Sequence, residues 1–237
     1  MHFSAFDAYL FDLDGVITPT AEVHMKAWGE MFNAFLAGFP GQEPWTDADY
    51  FAHVDGKPRY DGVRDFLTSR GIELPEGDPS DAATEQSICG LGNRKNETFN
   101  EIIRRDGVAP YPGSGELIDT LRARGAKLAV VSSSRNAVPV LRAAGLEEAF
   151  PVIVDGNVAK EQGLAGKPAP DTFKCAAKQL GTKPSRAVVV EDALSGVAAG
   201  AAGGFGLVVG VDRGVGPEAL RRAGAGLVVT DLGELVA

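Results

Sequence analysis

Two carboxylates one residue apart, Asp12 and Asp14, follow the apolar run Ala8–Phe11 and precede Gly15. Side chains two apart leave a strand on the same face, so both acids reach one crevice at a sheet edge, and Gly15 lets the chain turn away. Alone, such a pair serves equally well to cap a turn. Three further places add to it. The run Leu128–Val131 leads into Ser132-Ser133-Ser134, where hydroxyls and backbone amides precede a helical stretch. That arrangement suits a phosphate, although it also suits an ordinary helix cap. Lys167 stands in the proline-stiffened loop Gly166–Asp171, just ahead of another helical stretch. The run Ala187–Val190 leads directly into Glu191-Asp192, adjacent acids whose burial is costly unless a cation or donors neutralise them.

Together these places supply what transfer of a phosphoryl group to a carboxylate requires. An anionic nucleophile must approach an anionic phosphate, so their repulsion has to be offset. A hard cation held by Asp12, the backbone carbonyl of Asp14, and the acids Glu191 and Asp192 would offset it, and an all-oxygen ligand set points to Mg2+. Lys167, Ser132 and Ser133 would hold the remaining phosphate oxygens. With Asp12 as nucleophile, Asp14 would protonate the leaving oxygen and later deprotonate the next acceptor. The two acids therefore need different surroundings.

The elements that must position these residues alternate. Ala8–Phe11, Leu128–Val131, Val152–Val154, Ala187–Val190, Leu207–Val209 and Leu227–Val229 read as short buried strands, apolar on both faces as central parallel strands are. Between them, Gly115–Arg124, Asn136–Ala144, Asp171–Leu180 and Ala193–Ala202 have helical patterns that end near a glycine. The expected fold class is α/β, a doubly wound parallel Rossmann-like sheet whose ligand site lies at the carboxyl ends of its strands. Residues 20–106 interrupt the alternation. They show no convincing strand and read as an inserted helical cap domain, with helices over Glu22–Leu36 and Asp81–Arg105 and loops at Gly38–Pro44 and Leu74–Pro79. Trp28, Phe32, Phe35 and Leu36 form an apolar stripe on the first of these helices. Residues 1–19 and 107–237 then form the catalytic core, and the passage Ala109–Gly113, rich in turn formers, is the linker back into it.

Bulk properties set the class. The 237 residues are 44% apolar and 23% charged, as in a folded globular protein, and the net charge of −9 argues against a nucleic-acid or anionic-membrane surface. No apolar run is long enough to span a bilayer, and the start has no secretory-signal pattern. The two cysteines give no disulfide framework and fit a reducing cytosol, so by elimination a cytoplasmic location is expected; a monomer is expected as well. No dinucleotide-binding glycine fingerprint follows the first strand. The P-loop glycine position before Lys167 is taken by Glu161, no G-x-S-x-G elbow occurs, and the histidines lack zinc-site spacing.

Asp12-Leu13-Asp14-Gly15, Ser132, Lys167 and Glu191-Asp192, in this order on these strand ends, resemble the four motifs of the haloacid dehalogenase superfamily. The resemblance covers essentially the whole chain and implies phosphorylation of Asp12 with Asp14 as acid/base. The stretch from Phe11 to His24 with Trp28 beyond it, Gly56–Arg59, Arg94-Lys95-Asn96 and Ser132–Asn136 resemble the β-phosphoglucomutase branch. That branch implies a sugar-phosphate substrate, with a sugar bisphosphate as primer. It further implies that His24 assists the closed state, Trp28 lines the sugar, Gly56 and Arg59 form a clamp for the distal phosphate, and Lys95, Asn96, Arg135 and Asn136 contact sugar or phosphate. Pro19, where many relatives have an acidic residue, and Asp55 depart from its pattern. Three functions remain open at this level: a β-phosphoglucomutase, a magnesium-dependent sugar-phosphate phosphatase, and a catalytically silent binding module.

Overall fold

The computed structural model describes residues 5–54 and 57–236. Its chain divides into two compact units, Met1–Thr20 with Val108–Ala237, and Ala21–Gly107.

The first unit is built on six parallel strands, β1 (Ala8–Phe11), β2 (Lys127–Val131), β3 (Val152–Val154), β4 (Ala187–Glu191), β5 (Leu207–Val211) and β6 (Leu227–Val229). They lie in the order β3-β2-β1-β4-β5-β6, the doubly wound arrangement. Each of the six apolar runs expected as a strand forms one. β1 is the central strand, paired to β2 and β4, and Phe11 lies level with both Val130 and Val190. That register brings the next residue, Asp12, to the same height as Val131 and Glu191. β1 and β4 are wholly buried, which is why neither shows an alternating pattern.

The second unit is helical. Its elements are α1 (Thr20–Leu36), the short α2 (Asp47–Asp49) continued by a π-helical turn (Tyr50–Val54), α3 (Arg59–Ser69) and α4 (Ile88–Asp106). The apolar stripe of α1 does what its spacing predicts: Phe32 is fully buried, with Trp28, Trp45 and Phe66 rings centred 5.3, 4.8 and 4.1 Å away. The helix expected over Asp81–Arg105 starts only at Ile88. Ser87 Oγ caps it by accepting from the Gly90 amide at 2.9 Å, while donating to Asp81. Gly90 also lies so close to the Glu85 carbonyl that a Cβ there would come within 2.4 Å of it, so residues 81–87 cross this turn as a loop. The polar helix α3 was not expected. Its buried positions Val63, Phe66 and Leu67 make a narrow stripe amid charges.

Among the described residues, six α-helices complete the first unit: α5 (Pro112–Ala123), α6 (Ala137–Ala143), α7 (Gly156–Glu161), α8 (Asp171–Gln179), α9 (Leu194–Ala202) and α10 (Pro217–Ala223). Four lie where helical periodicity places them, and α7 and α10, each under two turns, do not show in the pattern. Helix α8 packs on β1, β2 and β3, and α9 on β4 and β5, so Phe173 and Val197 close the core over the strands that end in the site. Among the described residues no helix is long and apolar enough to cross a membrane.

Candidate active site

Asp12 is the first residue beyond β1. Its amide donates to the Val190 carbonyl at 2.9 Å, so the sheet ladder itself fixes its backbone. The residue is buried at 7% exposure, and its carboxylate receives the ammonium of Lys167. Lys167 reaches this point from the loop ahead of α8, where the Lys167–Pro168 peptide is cis. All three of its protons find acceptors: Asp12 Oδ1, the Val131 carbonyl at 3.0 Å, and Glu191 Oε1 at 2.7 Å. Burial alone would lower the lysine's proton affinity, but Asp12 and Glu191 outweigh it and hold the group firmly charged.

Glu191 ends β4 at 1% exposure. Its second oxygen accepts the Ala193 amide at 2.8 Å, and Gly196 is required beside it, since a Cβ there would lie 1.7 Å from Oε1. With both oxygens engaged in this way, Glu191 is placed to hold Lys167, whereas the sequence grouped it with the metal-binding acids. Asp192 points elsewhere. Its Oδ2 lies against Gly15, where a Cβ would sit 2.1 Å away. Gly15 has φ +83°, which only glycine adopts without strain, so this position needs glycine on both counts.

Asp14 stands apart from this buried ion network. One carboxylate oxygen accepts from Thr20 Oγ1, and the other from Ser132 Oγ at 3.4 Å. Thr20 is in turn 2.9 Å from the hydroxyl of Thr18. The two acids of the motif are therefore in different surroundings, one on an ammonium and one on hydroxyls. Thr18 and Thr20 were not singled out from sequence as partners of Asp14, although two hydroxyl residues within six positions of an acid in a turn were the available signal. Ser132 Oγ also accepts the Ser134 amide at 3.0 Å, forming a compact turn. Ser133 is exposed, as is Arg135, whose carbonyl accepts from Asn157. Asn136 is buried at the start of α6.

Burial drives the Asp12 carboxyl well above the usual carboxylate range. Lys167 opposes this, and Glu191, Asp192 and Asp14 add to it. Burial, then Glu191, push the Asp192 carboxyl up to about 8. Asp12, Glu191 and Asp192, with Asp14 nearby, thus carry more negative charge than Lys167, bonded to the first two, can offset. This excess of negative charge, carried by oxygen donors alone, is what a hard divalent cation would relieve. Among the described residues no three acidic, histidine or cysteine side chains converge as a ready-made metal group. A cation here would complete its shell with backbone oxygen, water or substrate.

The helical unit holds a separate cluster. Lys95, on α4 and 4% exposed, places its ammonium 2.5 Å from His24 Nδ1. The same ammonium lies 5.2 Å from the Trp28 ring centre and 4.9 Å from that of Phe99, and Phe99 stacks on His24 at 4.1 Å. Burial, followed by the cations Lys95 and Arg59, holds His24 well below the usual imidazole range, so Nδ1 is an acceptor. Arg59, the first residue of α3, donates to Asn96 Oδ1 at 2.8 Å. Gly92 permits this approach of α3 to α4, because a Cβ there would lie 2.7 Å from Tyr60 and 3.2 Å from Arg59. The described site residues read from the cap, Trp28 among them, are thus drawn together. Trp28 is at the same time part of the buried core of this unit, at 5% exposure, and Gly56 lies outside the described residues.

Four known families or proteins resemble this chain. The haloacid dehalogenase-like hydrolase family matches residues 6–204. A β-phosphoglucomutase of Mycobacterium tuberculosis is 50% identical over 240 residues, spanning 97% of this chain and 91% of its own. Among solved structures, a β-phosphoglucomutase of Clostridium difficile superposes with a TM-score of 0.75 at 27% identity, over 97% of this chain and 93% of that one. A variant of CbbY from Rhodobacter sphaeroides, in complex with xylulose-(1,5)bisphosphate, gives 0.74 at 25% identity, over 97% and 96%.

Proposed function

This chain belongs to the haloacid dehalogenase-like hydrolase family, and from that membership we propose a β-phosphoglucomutase that interconverts β-glucose 1-phosphate and glucose 6-phosphate through an aspartyl-phosphate. The observation that carries the mutase reading is the cap cluster. A phosphatase needs only the core residues, whereas a mutase passes through a sugar bisphosphate and has a use for a second group of phosphate-suited cations. Lys95 and Arg59, brought together with Asn96 and His24, are such a group. The 50% identity to a mycobacterial β-phosphoglucomutase over nearly the whole chain supports it.

In this reading a carboxylate oxygen of Asp12 forms a bond to phosphorus as the bond from phosphorus to the sugar oxygen breaks. The electron pair leaves on that oxygen, and Asp14 supplies its proton. In the return half, Asp14 takes the proton of the accepting sugar hydroxyl, which attacks the aspartyl-phosphate and frees Asp12. Thr20 and Ser132 suit Asp14 to this exchange, because hydroxyls interact favourably with both its protonated and its ionised form. Lys167, steered by Glu191, holds Asp12 in place and offers positive charge to the transferring group. A Mg2+ ion, held by Asp12, the Asp14 carbonyl and Asp192, would offset the charge of the incoming phosphate. Ser132 and the amides of its turn would take the remaining phosphate oxygens.

The test follows both products together. With a trace of glucose 1,6-bisphosphate as primer and magnesium present, β-glucose 1-phosphate should convert to glucose 6-phosphate with little free phosphate. Stoichiometric phosphate without glucose 6-phosphate would overturn the mutase in favour of a phosphatase.

A further inference from the structure

The loop that carries Asp14 away from β1 is gripped through three successive carbonyls. Arg213 Nε donates to Gly15 O at 2.8 Å, Ser114 Oγ to Val16 O at 2.7 Å, and the Tyr111 amide to Ile17 O at 2.9 Å. Two of these donors come from α5 and the residue before it. Arg213 alone arrives from the loop after β5, separated from Gly15 by 198 positions. Its guanidinium is itself held, with the central carbon 3.8 Å from the Tyr111 ring centre and Nη1 3.3 Å from the Thr230 carbonyl. Its Nη2 makes no hydrogen bond to the described residues, so the guanidinium's work here is the Gly15 contact, the Thr230 contact and the stack.

Gly15 is where such a grip has consequences. Asp12 is fixed by the sheet through its amide and by Lys167 through its carboxylate. Asp14 lies beyond the strand, in an isolated bridge to Thr18 outside the ladder, and the next residue is Gly15. That glycine has positive φ and no side chain to restrict it, so the conformation there depends on what binds its amide and carbonyl. The amide is bound by Thr18 O at 2.8 Å and the carbonyl by Arg213. Rotation at Gly15 would swing Asp14 off the hydroxyls of Thr20 and Ser132.

We propose that Arg213 is a positioning residue for the acid/base step, fixing the Gly15 peptide and through it the carboxylate of Asp14, with no contact to substrate. This rests on the phosphoryl-transfer reading above, though not on which sugar phosphate is used. The test compares single-turnover phosphorylation of the protein by two donors. A sugar bisphosphate leaves as an alkoxide that needs the Asp14 proton, whereas acetyl phosphate leaves as acetate and needs almost none. Arg213→Met keeps much of the stem but loses the donor, and Arg213→Lys restores one donor and the charge without the fork. Phosphorylation by the bisphosphate should slow roughly ten- to a hundredfold in Arg213→Met, the range a small misplacement of a reacting group produces. The acetyl phosphate rate should stay within about threefold, and Arg213→Lys should fall between wild type and Met for the bisphosphate only. Equal slowing with both donors, in the Lys variant as in the Met variant, would overturn the proposal, as would no slowing with either. If the wild type hydrolyses sugar phosphates without isomerising them, the mutase reading fails while the ratio between donors still decides the role of Arg213.

Discussion

In the core unit the charged groups leave strands whose heights are fixed by a hydrogen-bonded ladder, and Phe11, Val130 and Val190 share one level. In the cap unit His24, Arg59 and Lys95 stand on three different helices, α1, α3 and α4, held by side-chain packing around Phe32 and Phe66. The electrostatics differ as well. The core sets Asp12, Glu191, Asp192 and Asp14 near one another with Lys167 bonded to the first two, and burial pushes Asp12 and Asp192 towards their protonated forms. The cap sets an ammonium against a neutral imidazole and two aromatic faces. A backbone ladder can hold an unfavourable concentration of like charge in place until a cation relieves it. Packed helices instead shape a cationic cluster whose form depends on each neighbouring side chain. In the proposed function the core serves the chemistry common to all phosphoryl donors, and the cap the choice among them.

The largest effect should come from Asp12→Asn. Phosphorylation should fall below about one ten-thousandth of wild type with sugar phosphate and acetyl phosphate alike, as expected when a nucleophile is lost. The substitution keeps shape and an acceptor for Lys167, and it removes a buried charge, so the melting temperature should not drop. Intact mass after reaction with acetyl phosphate reads the first quantity and thermal unfolding the second. Residual phosphorylation at another residue would break the division between the units at its root.

A smaller and selective effect is expected from Arg59→Ala. Losing one charge-assisted contact should lower kcat/KM for β-glucose 1-phosphate by about ten- to a hundredfold. Phosphorylation by acetyl phosphate, which has no second group to grip, should remain within about twofold of wild type. Steady-state isomerisation and single-turnover mass measurements together decide it, and a parallel loss of both would mean that Arg59 serves the core chemistry.

The smallest effect concerns pH. The Asp192 carboxyl lies at about 8 in the folded, metal-free protein, well above its unfolded value. Between the two values the folded state holds a proton that the unfolded chain has lost. The contribution of this group to stability is therefore fully present below the unfolded pKa, about 4, and is lost as pH rises towards 8. Magnesium must displace the same proton, so its apparent affinity should rise with pH by up to about tenfold per unit and level off above roughly pH 8. Thermal shifts at several magnesium concentrations across this range would show the slope, which Asp192→Asn should flatten. The affinity of the cap for a sugar phosphate should show no corresponding rise above neutrality, since burial, with Lys95 and Arg59 beside it, holds His24 well below the usual imidazole range.

Much of the core was legible from sequence because one local property decides it. An apolar run too short for a helix and too uniform for an amphipathic strand must be a buried parallel strand, and the polar residue that ends it must lie at the sheet edge. This reasoning locates all six strands and brings Asp12, Ser132, Glu191 and Asp192 to one edge with no knowledge of contacts. The cap was less legible. The stripe of α1 is strong enough to read, but α3 carries too few apolar positions, and the start of α4 is set by Ser87 and Gly90, not by periodicity.

What only the tertiary structure decided is which side chain meets which. Lys167 reaches Asp12 across 155 positions, and Arg213 reaches Gly15 across 198. The adjacent acids Glu191 and Asp192 part company, one onto Lys167 and the Ala193 amide, the other against Gly15. Trp28 turns into the aromatic core of its unit. Hydropathy along a chain records how much each residue gains by leaving water, and that quantity is local. The partner of a charged group depends on distances of a few ångströms between segments that meet only when the sheet has formed.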